Sequence, residues 1–321
     1  MTRRVIVDAD VGVDDALALL YLAAHDDIEV VAVGSVHGNI DARRAALNAL
    51  RVLERCGHGS IPVAEGAASP LNQPLHVTWR VHGTDGLGNV ADEPPAGTIT
   101  SETAAEQLVR MSAESPGELD LLAIGPLTNL ALAHQLDPEV FERLRSVVIM
   151  GGSGCETDRP DEASRELTVD ANTDHDPEAA DLVYAVATDV VMVGADLEPY
   201  LLLDEQRMAR LEQAQAPHSE FTWRMLQFYI DFYQSKTGRR VAGLWDPLAA
   251  AVLRDPSLVL TSTMRPVDVV PSPAGFRALG LRDRRSDGRF DARPEVRIVT
   301  SVDSDRMLDD FVDRLTNPIA V

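Results

Sequence analysis

The stretch from Val5 to Leu20, VIVDADVGVDDALALL, places four carboxylates, Asp8, Asp10, Asp14 and Asp15, within eight positions of an apolar run. Carboxylates this close repel one another unless a positive charge sits among them. A helix start accounts for one of Asp14 and Asp15, because the helix dipole and the free N–H groups of a first turn favour an acidic residue. It does not account for four carboxylates around Gly12. A hard divalent cation does, since Ca²⁺ takes about six to eight oxygen ligands from carboxylates, carbonyls and water. The loop is not an EF-hand: DADVGVDDALAL lacks the oxygen ligand at its fifth position, the glycine at its sixth and the glutamate at its twelfth. The scarcity of His and Cys nearby disfavours zinc.

The elements that must carry these residues are legible in the hydrophobic pattern. Apolar runs of strand length (RVIVD, IEVVAVGSVHG, IPVAEG, LDLLAIG, LRSVVIMGG, VVMVGADL) alternate with helix-period segments such as DDALALLYLAAH and DARRAALNALRVLERCG. Strands apolar on both faces and joined by crossover helices predict an α/β fold with a mostly parallel central sheet covered by helices. Thr103 with Glu106 reads as a capping box and Gly57 as a helix stop. Residues 204–254 read as helical, and after Pro256 the short pieces MRPVDVV and EVRIVTSV predict a small β-rich appendage near the C-terminus. No repeat or low-complexity linker divides the chain, so residues 1–321 are expected to form one domain. In such a sheet ligands bind beyond the carboxyl ends of the strands. Polar residues recur there: Asp8 and Asp10, His37 and Asn39, Thr128 after AIGP, and Met150 before GGSG.

Composition narrows the partners. A net charge of −22, with Lys236 the single lysine, argues against a nucleic acid polymer, whose binding needs clustered cations. No window approaches the ~18 continuous apolar residues of a membrane span, and no signal-like apolar segment opens the chain, so a soluble cytoplasmic protein is expected. Cys56 and Cys155 suggest neither a disulfide framework nor a cysteine zinc site.

Two enzyme classes use an aspartate-rich strand end. The haloacid dehalogenase-like phosphatases place a nucleophile and a general acid in Asp-x-Asp, which DADVG matches, but the lone lysine is far away and the tandem Asp14-Asp15 has no role. The chain resembles the nucleoside hydrolases much more closely. The opening VDADVGVDDALAL is followed in order by VHGN, NALRVL, IPVAEGAASPL, VHGTDGLG, AIGPLTNLA, VVIMGG, NTDHDPEAA and WDPLAA, spanning about residues 4 to 254. Several short motifs in the right order are far more specific than any one.

That resemblance implies a Rossmann-like fold and a calcium-dependent N-ribosyl hydrolase acting on small nucleosides, assembled as a homodimer or homotetramer. Carried over by position, the metal ligands are Asp10, Asp15, the backbone carbonyl of Thr128, and Asp246, with Asp8 orienting them. Asp14, Asn39, Asn172 and Asp246 bond the ribose, Met150 packs near it, and Asp10 takes the proton of the attacking water. A non-catalytic nucleoside- or calcium-binding relative is the remaining alternative. The chain departs from the family in three places. Many members have histidine where Trp245 stands, so either the base is activated by stacking on the indole, which favours purines, or another acid serves. His82 is the candidate for that acid, with Trp79 close by in sequence and Tyr229 and Tyr233 on the aromatic helix where relatives contact the base. Asp170 stands in for a glutamate at the sugar, Ala171 for an aromatic, and the acidic stretch SGCETDRPDEASRELT lacks the usual Gly-Asn contact.

Overall fold

The computed structural model describes residues 2–153, 170–272, 275–280 and 293–319. In chain order the first part holds β1 (Arg3–Ala9), α1 (Val13–Ala23), β2 (Ile28–Ser35), α2 (Ala42–Arg55) and β3 (Val63–Ala64). The middle holds α3 (Trp79–His82), α4 (Ala104–Glu114), β4 (Leu119–Ala123), α5 (Thr128–Leu136), β5 (Ser146–Met150), α6 (Ala171–His175), α7 (Pro177–Val186) and β6 (Val190–Val193). The remainder holds β7 (Leu202–Leu203), α8 (Glu205–Gln213), α9 (Ser219–Thr237), β8 (Ala242–Gly243), α10 (Trp245–Arg254), β9 (Val259–Arg265), β10 (Val267–Ser272), β11 (Gly275–Gly280), β12 (Val296–Val302) and α11 (Ser304–Leu315).

Eight strands form one sheet in the order β3-β2-β1-β4-β5-β6-β12-β9, parallel from β3 through β12. Only β9, at the edge, runs antiparallel to its neighbour. The chain winds outward one way from β1 to β3 and the other way from β4 to β6, so the β1/β4 boundary is the point where the winding reverses. Crossover loops there diverge to opposite faces and leave a crevice at the carboxyl edge. That boundary sets Asp8 and Asp10 beside Ile124, the first residue after β4.

The expected β-rich appendage is smaller than the local pattern predicts. EVRIVTSV supplies β12, which joins the main sheet, because Val296, Ile298 and Val299 are all fully buried, apolar on both faces like the other parallel strands. Among the described residues of that region only the β10–β11 hairpin stands as a separate sheet. Among the described residues no helix is long and apolar enough to cross a membrane.

Helix α1 anchors the site. Leu17, Leu19, Leu20, Tyr21 and Leu22 are fully buried, since α2, α9, α10 and α11 pack around the helix. A helix apolar all round must be enclosed, and each buried leucine contributes about 2 kcal/mol of transfer free energy. Its first turn carries Asp14 and Asp15 into the interior, and the Asp15 carboxylate reaches back to accept from the Gly12 N–H at 2.8 Å.

Candidate active site

A cavity of about 160 Å³ opens at the carboxyl edge of the sheet, over the β1/β4 reversal. Its floor is acidic. Oxygens of Asp14 and Asp15 from α1 and of Asp246 from α10 lie within 4.8 Å of one another, and all three residues are buried. Asp10 stands behind them: its Oδ2 accepts from the Asn39 backbone N–H at 2.6 Å and its Oδ1 from Asn39 Nδ2 at 3.2 Å. The same Asn39 amide donates to Asp15 Oδ2 at 3.0 Å, while Thr78 Oγ1 donates to Asn39 Oδ1 at 2.9 Å. Gly38, at φ +150°, permits this clasp, because a Cβ there would overlap Asp10 Oδ2.

Burial and mutual repulsion dominate the electrostatics. Burial, then the charges of Asp15 and Asp14, push Asp10 well above the usual carboxylate range. Burial and the three neighbouring aspartates do the same to Asp246, and Asp15 rises to about 7 from burial and the Asp14 charge. Among the described residues no lysine or arginine lines the cavity. The buried Asp14 Oδ1 and Asp15 Oδ1 have no hydrogen-bond partner. Orphan carboxylate oxygens converging without a cation of the protein's own are the donor set of a hard divalent ion, so the residues fit a metal. Asp8 lies outside the cavity lining. Its Oδ2 accepts from Asn129 Nδ2 at 2.8 Å, and burial, opposed by that bond, raises it to about 7.

The upper walls are aromatic. His82 closes α3, is 5 % exposed, and its Nδ1 accepts from the Val13 N–H at 3.2 Å, 3.6 Å from Asp14 Oδ1. The neutral imidazole therefore carries its proton on Nε2. Burial lowers the basicity of His82 and the Asp14 charge opposes that. Tyr229 and Tyr233, on successive turns of α9, and Trp245, at the start of α10 beside Asp246, complete the lining.

Comparison with known proteins decides what this arrangement is. A sequence model of the inosine-uridine preferring nucleoside hydrolases matches residues 5–309. The chain belongs to that family. It is 34% identical over 255 residues to the probable uridine nucleosidase 1 of Oryza sativa subsp. japonica, covering 79% of this chain and 77% of that one. Among solved structures it is similar to a plant nucleoside hydrolase (TM-score 0.91, 27% identity, 99% and 100% of the two chains). It is also similar to the purine-preferring ribonucleoside hydrolase from Gardnerella vaginalis (TM-score 0.86, 27% identity, 98% of each).

In this nucleoside hydrolase the residues expected at the sugar and metal divide into those the fold gathers and those it does not. Asp14, Asn39, His82, Met150, Asp170, Asn172, Trp245 and Asp246 all line the cavity. Thr128 does not: it opens α5, its hydroxyl donates to Asp176 Oδ2 at 2.7 Å and it meets His37 Nε2 at 3.0 Å. The strand-end residue that lines the cavity is Ile124, whose carbonyl accepts from Asn172 Nδ2 at 3.0 Å. β4 ends at Ala123, so the strand-end rule applied to the strand itself points to Ile124, four residues before Thr128. Asp170, while lining the cavity, also caps α6. It accepts from the Thr173 N–H at 3.2 Å and the Gly152 N–H at 2.5 Å. Thr78, Val81 and Ala195 also line the cavity, and only the nearness of Thr78 and Val81 to His82 in sequence signals any of them. Cys155 and the acidic stretch 154–168 lie outside the described residues.

Proposed function

We propose that this nucleoside hydrolase cleaves the N-glycosidic bond of ribonucleosides to ribose and free base, with purine nucleosides favoured and Ca²⁺ as the metal. The observation that carries the reading is the trio Asp14, Asp15 and Asp246, with its orphan oxygens, beneath an aromatic chamber. Asp15 and Asp246 would hold the ion, with Asp10 beside them and Asp14 shared between ion and sugar. When bound, a calcium ion supplies an electrophile that positions a water and lowers its pKa.

The remaining steps belong to the chain's own groups. Asp10, steered by both N–H donors of Asn39, accepts a proton from the attacking water as its oxygen bonds to the anomeric carbon. The glycosidic electron pair leaves with the base, and the carboxylates below stabilise the positive charge that develops on the sugar. His82 Nε2–H can donate a hydrogen bond to the departing base, because the Val13 N–H already occupies Nδ1, and the base then takes its proton from solvent. Trp245 offers the base a face to stack on, and that supports the purine preference. The named relatives include both a uridine nucleosidase and a purine-preferring hydrolase. A dehalogenase-type phosphatase would need a lysine or arginine on the phosphoryl group, and among the described residues none lines the cavity.

Ribose release should be assayed with inosine, adenosine, guanosine, uridine and cytidine, with and without chelator. Turnover that is fastest on the purines and abolished by chelation is expected. No ribose from any of the five with calcium present would overturn the proposal. A homodimer or homotetramer is the assembly expected, to be measured by light scattering.

A further inference from the structure

Thr78 lines the cavity from the segment that leads into α3. From Pro74 to Arg80 every residue except Thr78 is exposed. It stands immediately before the helix, where a threonine ordinarily spends its hydroxyl on a free N–H of the first turn. Here it makes no such cap. The hydroxyl meets Asn39 Oδ1 at 2.9 Å instead, while the Thr78 N–H donates to the Gly38 carbonyl at 3.3 Å. The direction of the first bond follows from the other side of the amide. Asn39 Nδ2 lies 3.2 Å from Asp10 Oδ1 and 3.0 Å from Asp15 Oδ2. An ionised carboxylate only accepts, so both amide protons face the two aspartates, and Oδ1 is left as the acceptor for Thr78. With the amide turned over, its oxygen would meet both carboxylates, and repulsion would replace two bonds.

We propose that Thr78 is a positioning residue: its hydroxyl locks the Asn39 amide with its protons on Asp10 and Asp15, and so aims the carboxylate that takes the proton of water. The lock also ties the floor of the cavity to α3, whose Val81 and His82 line the same cavity. Thr78 acts on Asp10 through Asn39, so it governs the rate and not the choice of base. The kinetic part rests on the nucleoside hydrolase reading; the orientation of the amide does not.

The test compares Thr78→Val, which removes the hydroxyl and keeps the shape, with Thr78→Ser, which keeps the hydroxyl. Thr78→Val should lower kcat by about 3–10-fold, the range of one lost hydrogen bond, equally for inosine and uridine and with KM little changed. Thr78→Ser should stay at the parent values. In an Asn39→Ala background Thr78→Val should cost nothing further, because a group that acts only through Asn39 has nothing left to act on. Independently of turnover, the side-chain amide signals of Asn39 can be followed by NMR in the full-length protein as purified, assigned by the pair that Asn39→Ala removes. They should shift and exchange faster with solvent in Thr78→Val but not in Thr78→Ser. Thr78→Ala stands in if Thr78→Val does not fold. Amide signals or kcat identical to the parent in folded Thr78→Val, a loss in Thr78→Ser equal to that in Thr78→Val, or a full loss persisting in the Asn39→Ala background would each overturn the proposal. Absence of turnover in the parent would count against the hydrolase reading alone and leave the amide signals to decide.

Discussion

Asp15 has two duties that usually fall to different residues. One oxygen closes the start of α1 by accepting from Gly12, and the other is buried without a partner beside Asp14 and Asp246. Asn at this position keeps the first duty, because its amide oxygen can accept the same N–H, and loses the anionic second. Calcium should raise the melting temperature of the parent, and Asp15→Asn should fold but lose that rise. For the parent that rise corresponds to about 2.7 kcal/mol at calcium 100-fold above its Kd, readable by differential scanning calorimetry. An undiminished calcium shift would remove Asp15 from the site. For Asp10→Asn, whose single amide oxygen can keep one of the two Asn39 contacts, kcat should fall by about 10²–10⁴-fold, the span of a lost general base. Full turnover would mean that another group takes the proton of water. At this scale the aspartates were legible because four like charges in one short segment need an explanation. Ile124 was not, because a backbone carbonyl leaves no trace in residue type; the carbonyl expected from the resemblance belongs to Thr128, which does not line the cavity.

At the level of elements, local rules held where local physics decides. Thr103 and Glu106 do form a reciprocal cap, the Thr103 N–H to Glu106 Oε2 at 2.8 Å and the Glu106 N–H to Thr103 Oγ1 at 3.3 Å. β12 was harder, since a short apolar strand reads the same whether it lies in a hairpin or in a buried sheet. α1 is the element on which the site depends, because it holds Asp14 and Asp15 at one end and is enclosed along its length. Leu19→Ala should cost about 2–5 kcal/mol, seen as a lower urea midpoint with unchanged slope. KM for inosine below the transition should be unchanged, as Leu19 does not line the cavity. A loss below 1 kcal/mol would mean that the helix is less tightly held than its burial implies.

Across the whole molecule the two edges of the sheet carry opposite electrostatic solutions. At the carboxyl edge, aspartates lie buried with no lysine or arginine among the described lining residues. At the other edge Asp120, also fully buried, is clasped by Arg3 Nε at 2.8 Å, by Arg145 through Nε at 2.9 Å and Nη2, and by Ser146 Oγ at 2.8 Å. Burial alone would raise this carboxyl, but the bonds from Arg145, Arg3 and Ser146 outweigh it and hold it below 3.8. A carboxyl lowered on folding adds stability above its unfolded pKa and loses it as pH falls through the folded one. Asp120→Asn should therefore destabilise by about 3–5 kcal/mol near pH 7, with the gap to the parent closing below about pH 4 as the parent carboxyl protonates. Chemical denaturation at both pH values measures it, and a gap independent of pH would mean that the clasp is not ionic.

The sequence by itself determined the α/β class, the acidic turn after the first strand and the ordered motifs of the family, because periodicity, capping and charge crowding act between residues a few positions apart. Only the tertiary structure decided that Ile124 and not Thr128 meets the cavity, that Asp170 also accepts from the Gly152 N–H, and that Tyr229 of α9 donates to Asp14 of α1. Those pairings join residues up to 215 positions apart. They are set by which strands lie side by side and where each ends, and that order is a property of the assembled sheet.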